Sequence, residues 1–418
     1  MADYDTIVIG SGPAGCSAAA VLAEKGRRTL VLEKEKFPRY RIGESLLPYC
    51  YFPLKRIGMI EKLQESSFVK KHSVQFVAED GRISQPFYFF KHLKHNASQT
   101  WQVERDRFDQ MLMDNAREKG AEVLEETAAK QFIMTRGCVV GVEAQGPDGQ
   151  TNAYHAPITI DCSGRDGFAI NRNDWRVRDP NLSKVAIWTY FRGGQRDPGL
   201  DEGATTVAYL PEKGWFWYIP LLEDTVSVGV TAERDYLYRD GKDVDAIFRR
   251  EVKKNQWISQ HLARAEQVQR YWVTGDYSYR SRYCAADGLV LAGDALAFLD
   301  PVFSSGVFLA LHSGVLAGDV IDEALSDHDV SAGRFSRYGE EIGYGIESMR
   351  KLVYAFYDKT FSFGKLLRKN PDLRGDLTDC LIGNLFRNFD PLFDAIGEFA
   401  DMPASLPHGQ PLVVDGDQ

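Results

Sequence analysis

The chain is predicted to be an α/β protein: a parallel sheet wound with helices, carrying an inserted antiparallel sheet and followed by a mainly helical C-terminal region. Three observations predict it. The apolar strand 6–9 runs into a glycine-rich turn, a helix to about residue 25 and a second apolar strand at 29–32. Near the far end, 288–314 repeats the logic, with a strand at 289–292, a Gly293-Asp294 turn, a Pro/Gly-rich loop and an apolar helix from about Ser305. Between them lie long β-rich runs. Strand–helix alternation at both ends with β-rich insertions implies one parallel-sheet domain and a discontinuous sheet domain upon it.

At 418 residues the chain exceeds one ordinary core, so two or three units are expected. The expected division is a nucleotide domain of 1–70, 100–184 and 275–330, a β-sheet substrate domain of 71–99 and 185–274, and a helical region of 331–418. Fifty basic against fifty-nine acidic residues give −9, which argues against nucleic-acid or anionic-membrane partners. Cys16, Cys50, Cys138, Cys162, Cys284 and Cys380 are scattered, without paired metal-ligand spacing, so no metal and reduced thiols are expected. The N-terminal MADYD has no charged-then-apolar leader, and no apolar run approaches membrane-spanning length. The expected location is the cytoplasm.

In Gly10-Ser11-Gly12-Pro13-Ala14-Gly15, Gly10 permits the tight turn, Gly12 lets backbone approach a pyrophosphate, and Gly15 lets the helix pack on the strand. Glu33, closing the second strand, is placed to accept from a ribose. The strand–turn–helix–strand context makes this a dinucleotide site. Residues 36–46, KFPRYRIGESL, are too basic and turn-rich for a core strand, and 53–65 reads as one amphipathic helix. Residues 68–90 read as two or three antiparallel strands. Residues 101–105 lead into a helix over 106–119, with Phe108, Met111, Leu112 and Ala116 at helical spacing. Residues 121–162 read as a β-meander whose last strand, 158–161, ends in Asp-x-x-Gly and returns the chain to the nucleotide domain; 185–274 reads as β-rich with a strand at 227–231 and a helix around 243–266. Beyond 331, Leu352, Ala355, Phe356, Phe361, Leu381 and Phe386 suit either a lid or plain packing on the sheet, and the Pro/Gly/Asp-rich tail is expected to fray.

Three blocks now stand together: 10–15 with Glu33, 101–105 with Phe108-Asp109, and Gly293-Asp294. They resemble the Rossmann-like FAD-binding domain of the p-hydroxybenzoate-hydroxylase-like flavoproteins over about residues 1–325. The resemblance implies FAD, with Gly10, Gly12, Pro13, Ala14, Gly15, Glu33 and Lys34 on the AMP half, and Arg105 near the pyrophosphate and ribityl chain. It implies further flavin contacts from Arg41, Gly43, Ser45, Gly293, Pro301 and Gly306, with Asp294 on ribityl hydroxyls. A carboxylate accepts from vicinal hydroxyls and a guanidinium neutralises phosphate, so the chemistry fits.

Within that superfamily two motifs look like flavin-dependent halogenases. WxWxIP is met by Trp215, Trp217, Ile219 and Pro220, and FxDPxxSSG by Phe298, Asp300, Pro301, Ser304, Ser305 and Gly306. The resemblance makes the tryptophans architectural, walling flavin from substrate, and gives the backbone N–H groups of Ser305 and Gly306 to chloride or bromide. It matches the essential halogenase lysine to Lys71, with Lys70 its neighbour. Tryptophan halogenases carry a glutamate where this chain has Phe303, which points to phenols or pyrroles, including substrates tethered to an acyl-carrier protein. The implied reaction uses reduced FAD from a separate NAD(P)H flavin reductase, since there is one dinucleotide fingerprint, and passes hypohalous acid to Lys71. An aromatic hydroxylase or related reductase of the same fold is the alternative, sharing the flavin blocks without needing Lys71.

Overall fold

The computed structural model describes residues 2–179, 181–275, 278–406 and 409–413. Its centre is the strand Thr6–Ile9, paired in parallel with Thr29–Leu32 on one side and Ile158–Asp161 on the other. Glu122–Leu124 extends the sheet beyond the first, and Leu289–Leu291 with the antiparallel edge Ala285–Ala286 beyond the second. All three central strands are buried along their whole length. That burial explains their unbroken apolar character, since both faces are covered.

Four helices frame the functional half: α1 (Pro13–Glu24), α2 (Arg105–Glu118), α3 (Gly306–Ser326) and α4 (Ser336–Tyr357). α1 lies against both α2 and α3. Its crossing with α3 is exceptionally tight. A Cβ on Gly314 would sit 2.2 Å from the Ala14 carbonyl oxygen, and one on Gly318 would sit 2.8 Å from Val21 Cβ. A Cβ on Gly293, in the turn before α3, would sit 2.9 Å from Ala14 Cβ. Small residues therefore bring the two glycine-rich turns of the chain together.

Among the described residues a second sheet of eight strands forms the antiparallel layer. Lys184–Arg192, Thr225–Glu233, Trp215–Pro220 and Thr205–Tyr209 pair in that order, all antiparallel. Several sequence expectations are corrected here. The run 68–90 is antiparallel only in part: Ser73–Val77 pairs antiparallel with Phe87–Tyr88 as expected but in parallel with Thr205–Tyr209, and Val69–Lys71 pairs separately with Thr100–Gln102. The expected meander is divided, with Ala128–Thr135, Cys138–Gln145 and Thr151–His155 forming a three-stranded sheet while the flanking strands belong to the parallel one. The helix expected at 53–65 is two helices, Tyr51–Arg56 and Ile60–Glu65, because Gly58 between them takes φ +78°. The one around 243–266 is likewise two, Val244–Val252 and Gln256–His261, the second begun by Asn255 accepting from the Ile258 N–H at 3.2 Å.

In the C-terminal region Leu352 and Ala355 are fully buried and Phe356 nearly so. Phe356 stacks on Tyr209 of the antiparallel sheet, with ring centres 5.6 Å apart, and Phe386 stacks on His312 of α3 at 4.1 Å. The tail is not frayed through residue 413. Leu412 donates to the Ala285 carbonyl at 2.7 Å, and Cys284 donates to Gln410 at 3.0 Å, so the tail covers the sheet edge. Residues 414–418 of the expected frayed tail lie outside the described residues. All six cysteines are free. Among the described residues no helix is long and apolar enough to cross a membrane, and no cluster of His, Cys, Asp or Glu could hold a metal ion.

The α1–α3 crossing generates a stability test. Gly314→Val overpacks it and is expected to cost about 1–3 kcal/mol, or more where the backbone cannot part. Gly375, around which a Cβ meets nothing within 4 Å, is the control. Gly375→Ala, within a helix, should leave the melting temperature unchanged or slightly raised, while Gly314→Val lowers it clearly in the same calorimetric scan.

Candidate active site

A cavity of about 730 Å³ runs from the first glycine-rich turn to the aromatic strand of the antiparallel sheet. At its near end Gly10, at φ +99°, leaves no room for a side chain, since a Cβ would lie 2.5 Å from the Cys162 carbonyl oxygen. Gly10, Gly12, Pro13, Ala14 and Glu33 line the wall. Gly15 does not. It sits where a Cβ would collide with the Gly10 carbonyl oxygen, and so holds α1 on the turn. Glu33 is buried and braces the same turn, accepting from the Ser11 N–H at 2.9 Å, the Ser11 hydroxyl at 2.8 Å and the Glu35 N–H at 2.9 Å. Lys34 and Arg41 also line the cavity, each held by an acid, Asp166 and Glu35 respectively.

Positive charge is concentrated in the middle of the cavity. Arg105, first residue of α2, forms a two-point pair with Asp109 one turn on, at 2.8 and 3.0 Å, and its other N–H donates to the Ile42 carbonyl at 2.8 Å. Arg39 donates to the same Asp109 at 2.8 Å. All three are buried, and the arginines hold the Asp109 carboxyl below the usual range against a strong desolvation penalty. Two guanidiniums share one carboxylate, so one positive charge is left over beside Gly12, whose Cβ position is 3.7 Å from Arg39. Buried charge of this kind is costly unless paired, and a diphosphate pairs it. Farther along, Asp294 lines the cavity; its backbone carbonyl accepts from the Tyr279 hydroxyl at 2.8 Å, but its carboxyl group has no protein donor among the described residues, and burial pushes it up to about 6. An acceptor with no protein donor fits the vicinal hydroxyls of a ribityl chain. The donor set therefore fits a flavin dinucleotide, with Gly43, Ser45, Pro301 and Gly306 also in the wall and Gly293 just behind it.

The far end is aromatic. Trp215 and Trp217 line it, and Trp217 lies flat over Gly229, where any side chain would strike the indole. Trp217 Nε1 donates to Ser227 at 3.1 Å. Trp215 Nε1 donates at 2.9 Å to Tyr357, the last residue of α4, and Tyr357 donates at 2.9 Å to Asp300. Asp300 accepts from the Val302 N–H at 3.1 Å, and burial raises its carboxyl to about 6. One tyrosine thus ties the two motifs singled out in the sequence to the C-terminal helices. Pro220 lies at the end of that strand, outside the cavity lining. Ser304, in the left-handed conformation at φ +56°, turns the chain into α3. Ser304 and Gly306 line the cavity, and Ser305 is buried beside them. No side chain caps the start of α3. Phe303 is buried behind this loop, packed edge-on against Phe356 and Phe363 at 5.7 and 6.3 Å.

Lys71 ends its short strand fully enclosed, at 2% exposure, whereas Lys70 is exposed. Its Nζ donates to Ser45 Oγ at 2.8 Å and to the Leu46 carbonyl at 3.1 Å, and lies 5.5 Å from the centre of the Phe89 ring. Ser45 lines the cavity and also bonds Thr205 at 2.7 Å, so Lys71 stands one hydroxyl behind the wall. Among the described residues no acid pairs with it. Burial therefore lowers its ammonium to about 7, a penalty of about 5 kcal/mol on the charged form.

Sequence reasoning missed Arg39, Glu44 and Tyr357. Arg39 and Glu44 lie in the stretch KFPRYRIGESL, whose polarity marks it as functional but does not separate its members. Tyr357 has no motif at all.

Comparison with known proteins places this geometry. A profile described as Tryptophan halogenase matches residues 75–363, and one described as FAD binding domain matches residues 5–41. A 1H-pyrrole-2-carbonyl-[peptidyl-carrier protein] chlorinase of Pseudomonas fluorescens is 30% identical, covering 92% of this chain and 90% of the relative. The corresponding brominase of Pseudoalteromonas luteoviolacea is also 30% identical, over 92% of each chain. The solved structure of the flavin-dependent brominase Bmp2 superposes with a TM-score of 0.86 at 28% identity, covering 94% of this chain and 98% of that one. The chain belongs to the tryptophan halogenase family and is a flavin-dependent halogenase with FAD as its cofactor.

Proposed function

We propose that this enzyme chlorinates or brominates an electron-rich ring, a pyrrole held on a carrier protein foremost, using reduced FAD delivered by a separate NAD(P)H flavin reductase. The observation that carries the reading is Lys71: a buried lysine without an acid partner, one hydroxyl from the cavity wall. Such a lysine has no structural purpose that repays its desolvation. Bound FAD, once reduced, supplies the electrons with which O₂ converts halide to hypohalous acid. The uncapped N–H groups of Ser305 and Gly306 hold the halide, because peptide donors suit a weakly hydrated anion. Trp215 and Trp217 keep water and substrate away from that step. Near neutral pH Lys71 exists in both forms. As the amine it displaces hydroxide from hypohalous acid, giving R–NHX and water; as the ammonium it donates a hydrogen bond to the acid's oxygen. Either way the electrophilic halogen is held by the protein until a ring meets it.

Phe303 supports the choice of substrate. Its ring is buried among Phe356 and Phe363, so no carboxylate stands there to direct a poorly activated indole carbon. Pyrroles and phenols need no such help, and two relatives are named for carrier-bound pyrrole. Ser45, Gly43, Asp294 and the Arg39–Asp109–Arg105 cluster are the flavin contacts on this reading, and the cytoplasm, where reductases supply reduced flavin, is the location.

The decisive assay offers reduced FAD, O₂, chloride or bromide, and a panel of free phenols, free pyrroles and carrier-bound pyrrole-2-carbonyl. A halogen isotope pattern on the product, at least ~100-fold weaker in Lys71→Ala, is expected. Substrate-stimulated NADPH oxidation by the protein alone, with a hydroxylated product, overturns it. Arg39→Met should weaken FAD binding about tenfold to a hundredfold, measured by fluorescence titration, because one charge-assisted contact is lost.

Lys71 also makes a pH prediction. Its folded value near 7 lies below the ordinary lysine range, so between the two the unfolded chain binds more protons. Stability from this group is lowest below about pH 7 and rises above it. The melting temperature of Lys71→Met should exceed that of the wild type at pH 6.5, with the gap narrowing by pH 9.

A further inference from the structure

Halogenation as proposed consumes a proton. The balance is FADH₂ + O₂ + X⁻ + Ar–H + H⁺ → FAD + Ar–X + 2 H₂O, in which flavin and the ring–halide pair are oxidised and O₂ is reduced to water. The cavity must therefore admit one proton per turnover while excluding bulk water.

Glu44 lines the cavity between Gly43 and Ser45 and is 3% exposed. Its Oε1 accepts from the Tyr190 hydroxyl at 2.5 Å, and its Oε2 has no partner. The Tyr190 and Tyr40 hydroxyls are 2.9 Å apart. Trp188 Nε1 donates to the Tyr40 oxygen at 2.6 Å, leaving the Tyr40 hydrogen free to point at Tyr190 and the Tyr190 hydrogen at Glu44. The three hydroxylic groups are thus aligned donor to acceptor. Tyr190 is buried, but Tyr40 is only partly so, stacked on the part-exposed Trp272 at 4.4 Å.

We propose that Tyr40, Tyr190 and Glu44 form a relay that carries the consumed proton from solvent to the cavity. A proton arriving at Tyr40 displaces that hydroxyl's own hydrogen onto Tyr190. Tyr190 in turn passes its hydrogen to the Glu44 carboxylate, so each oxygen gains one proton as it loses one. Glu44 then holds the proton at the wall, beside Ser45 and the lysine behind it. Its environment suits the task. Burial pushes its carboxyl up to about 7 against the pull of the Tyr190 hydroxyl, with Glu104 raising it further and Arg105 lowering it. An acid that both takes and gives a proton near neutral pH is the efficient one. Tyr40 and Tyr190 act through Glu44 and are positioning residues.

The relay rests on the halogenase reading, and the test separates the two. Holoenzyme with reduced FAD, O₂ and bromide is assayed for hypohalous acid trapped by a free phenol, in ordinary and heavy water. Glu44→Gln should lower turnover about a hundredfold and Glu44→Asp restore part of it, while Tyr40→Phe, which keeps the ring stack, should lower it about tenfold. The loss in Tyr40→Phe should come with a larger solvent isotope effect, an unchanged KM for bromide and unchanged FAD affinity. Infrared titration of the FAD-free protein should show a protonated-carboxyl band with a midpoint near pH 7, present in Tyr40→Phe, shifted in Tyr190→Phe and absent in Glu44→Gln. A wild type that makes no hypohalous acid sinks the halogenase reading. A wild type that makes it, with Tyr40→Phe and Tyr190→Phe matching its rate, isotope effect and pH profile, sinks the relay alone.

Discussion

The contact on which everything else depends is the approach of Gly314 to the Ala14 carbonyl. No side chain fits there, and the tightness has a purpose that packing alone does not require. It brings the start of α1 and the loop before α3, which lie about three hundred residues apart in sequence, into the walls of one cavity. Each helix begins with unsatisfied N–H groups and a partial positive charge. On the proposed reading the first would face the phosphates of the cofactor and the second the halide. One small-residue seam sets the separation of both.

The second governing effect is desolvation. Glu44 and Lys71 are brought to about 7, Asp294 and Asp300 to about 6, and burial is the largest cause in every case. The acids move up and the lysine moves down, so opposite chemistries converge on the same pH. In the Arg39–Asp109–Arg105 cluster the arginines instead hold the buried Asp109 carboxyl below the usual range against its desolvation. In and behind the cavity wall, ion-paired groups of fixed charge therefore stand beside several groups that can change charge at little expense. That division matches a cofactor held by fixed charge and a reaction that moves protons and halogen near it.

Much of this was legible in the chain. Gly10, Gly12, Gly15 and Glu33 stand in a local pattern whose geometry is dictated by backbone sterics, so their placement follows from sequence order. The two halogenase-like motifs were equally readable, but not the link between them, because Tyr357 comes from a helix with no local signature. Strand pairing was the other gap. Nothing in Ser73–Val77 announces a parallel partner over a hundred residues away, whereas the Asp-x-x-Gly end of Ile158–Asp161 marks that strand's return to the nucleotide domain, where it pairs with Thr6–Ile9. Phe303 shows the reverse case. As a departure from a motif it was informative from sequence, and the structure explains what replaced the missing acid: an aromatic contact with the C-terminal helices.

The Trp215–Tyr357–Asp300 bridge bears on how such a chain can diversify. Asp300 begins the loop that leads into α3, Trp215 belongs to the antiparallel sheet, and Tyr357 closes α4. Segments after residue 357 can be exchanged without touching this bridge, whereas a junction placed before it would detach the loop from its anchor. A chimaera of two such chains would keep that loop anchored only with its junction beyond this one phenol, and would still have to match the tail that pairs with the sheet edge.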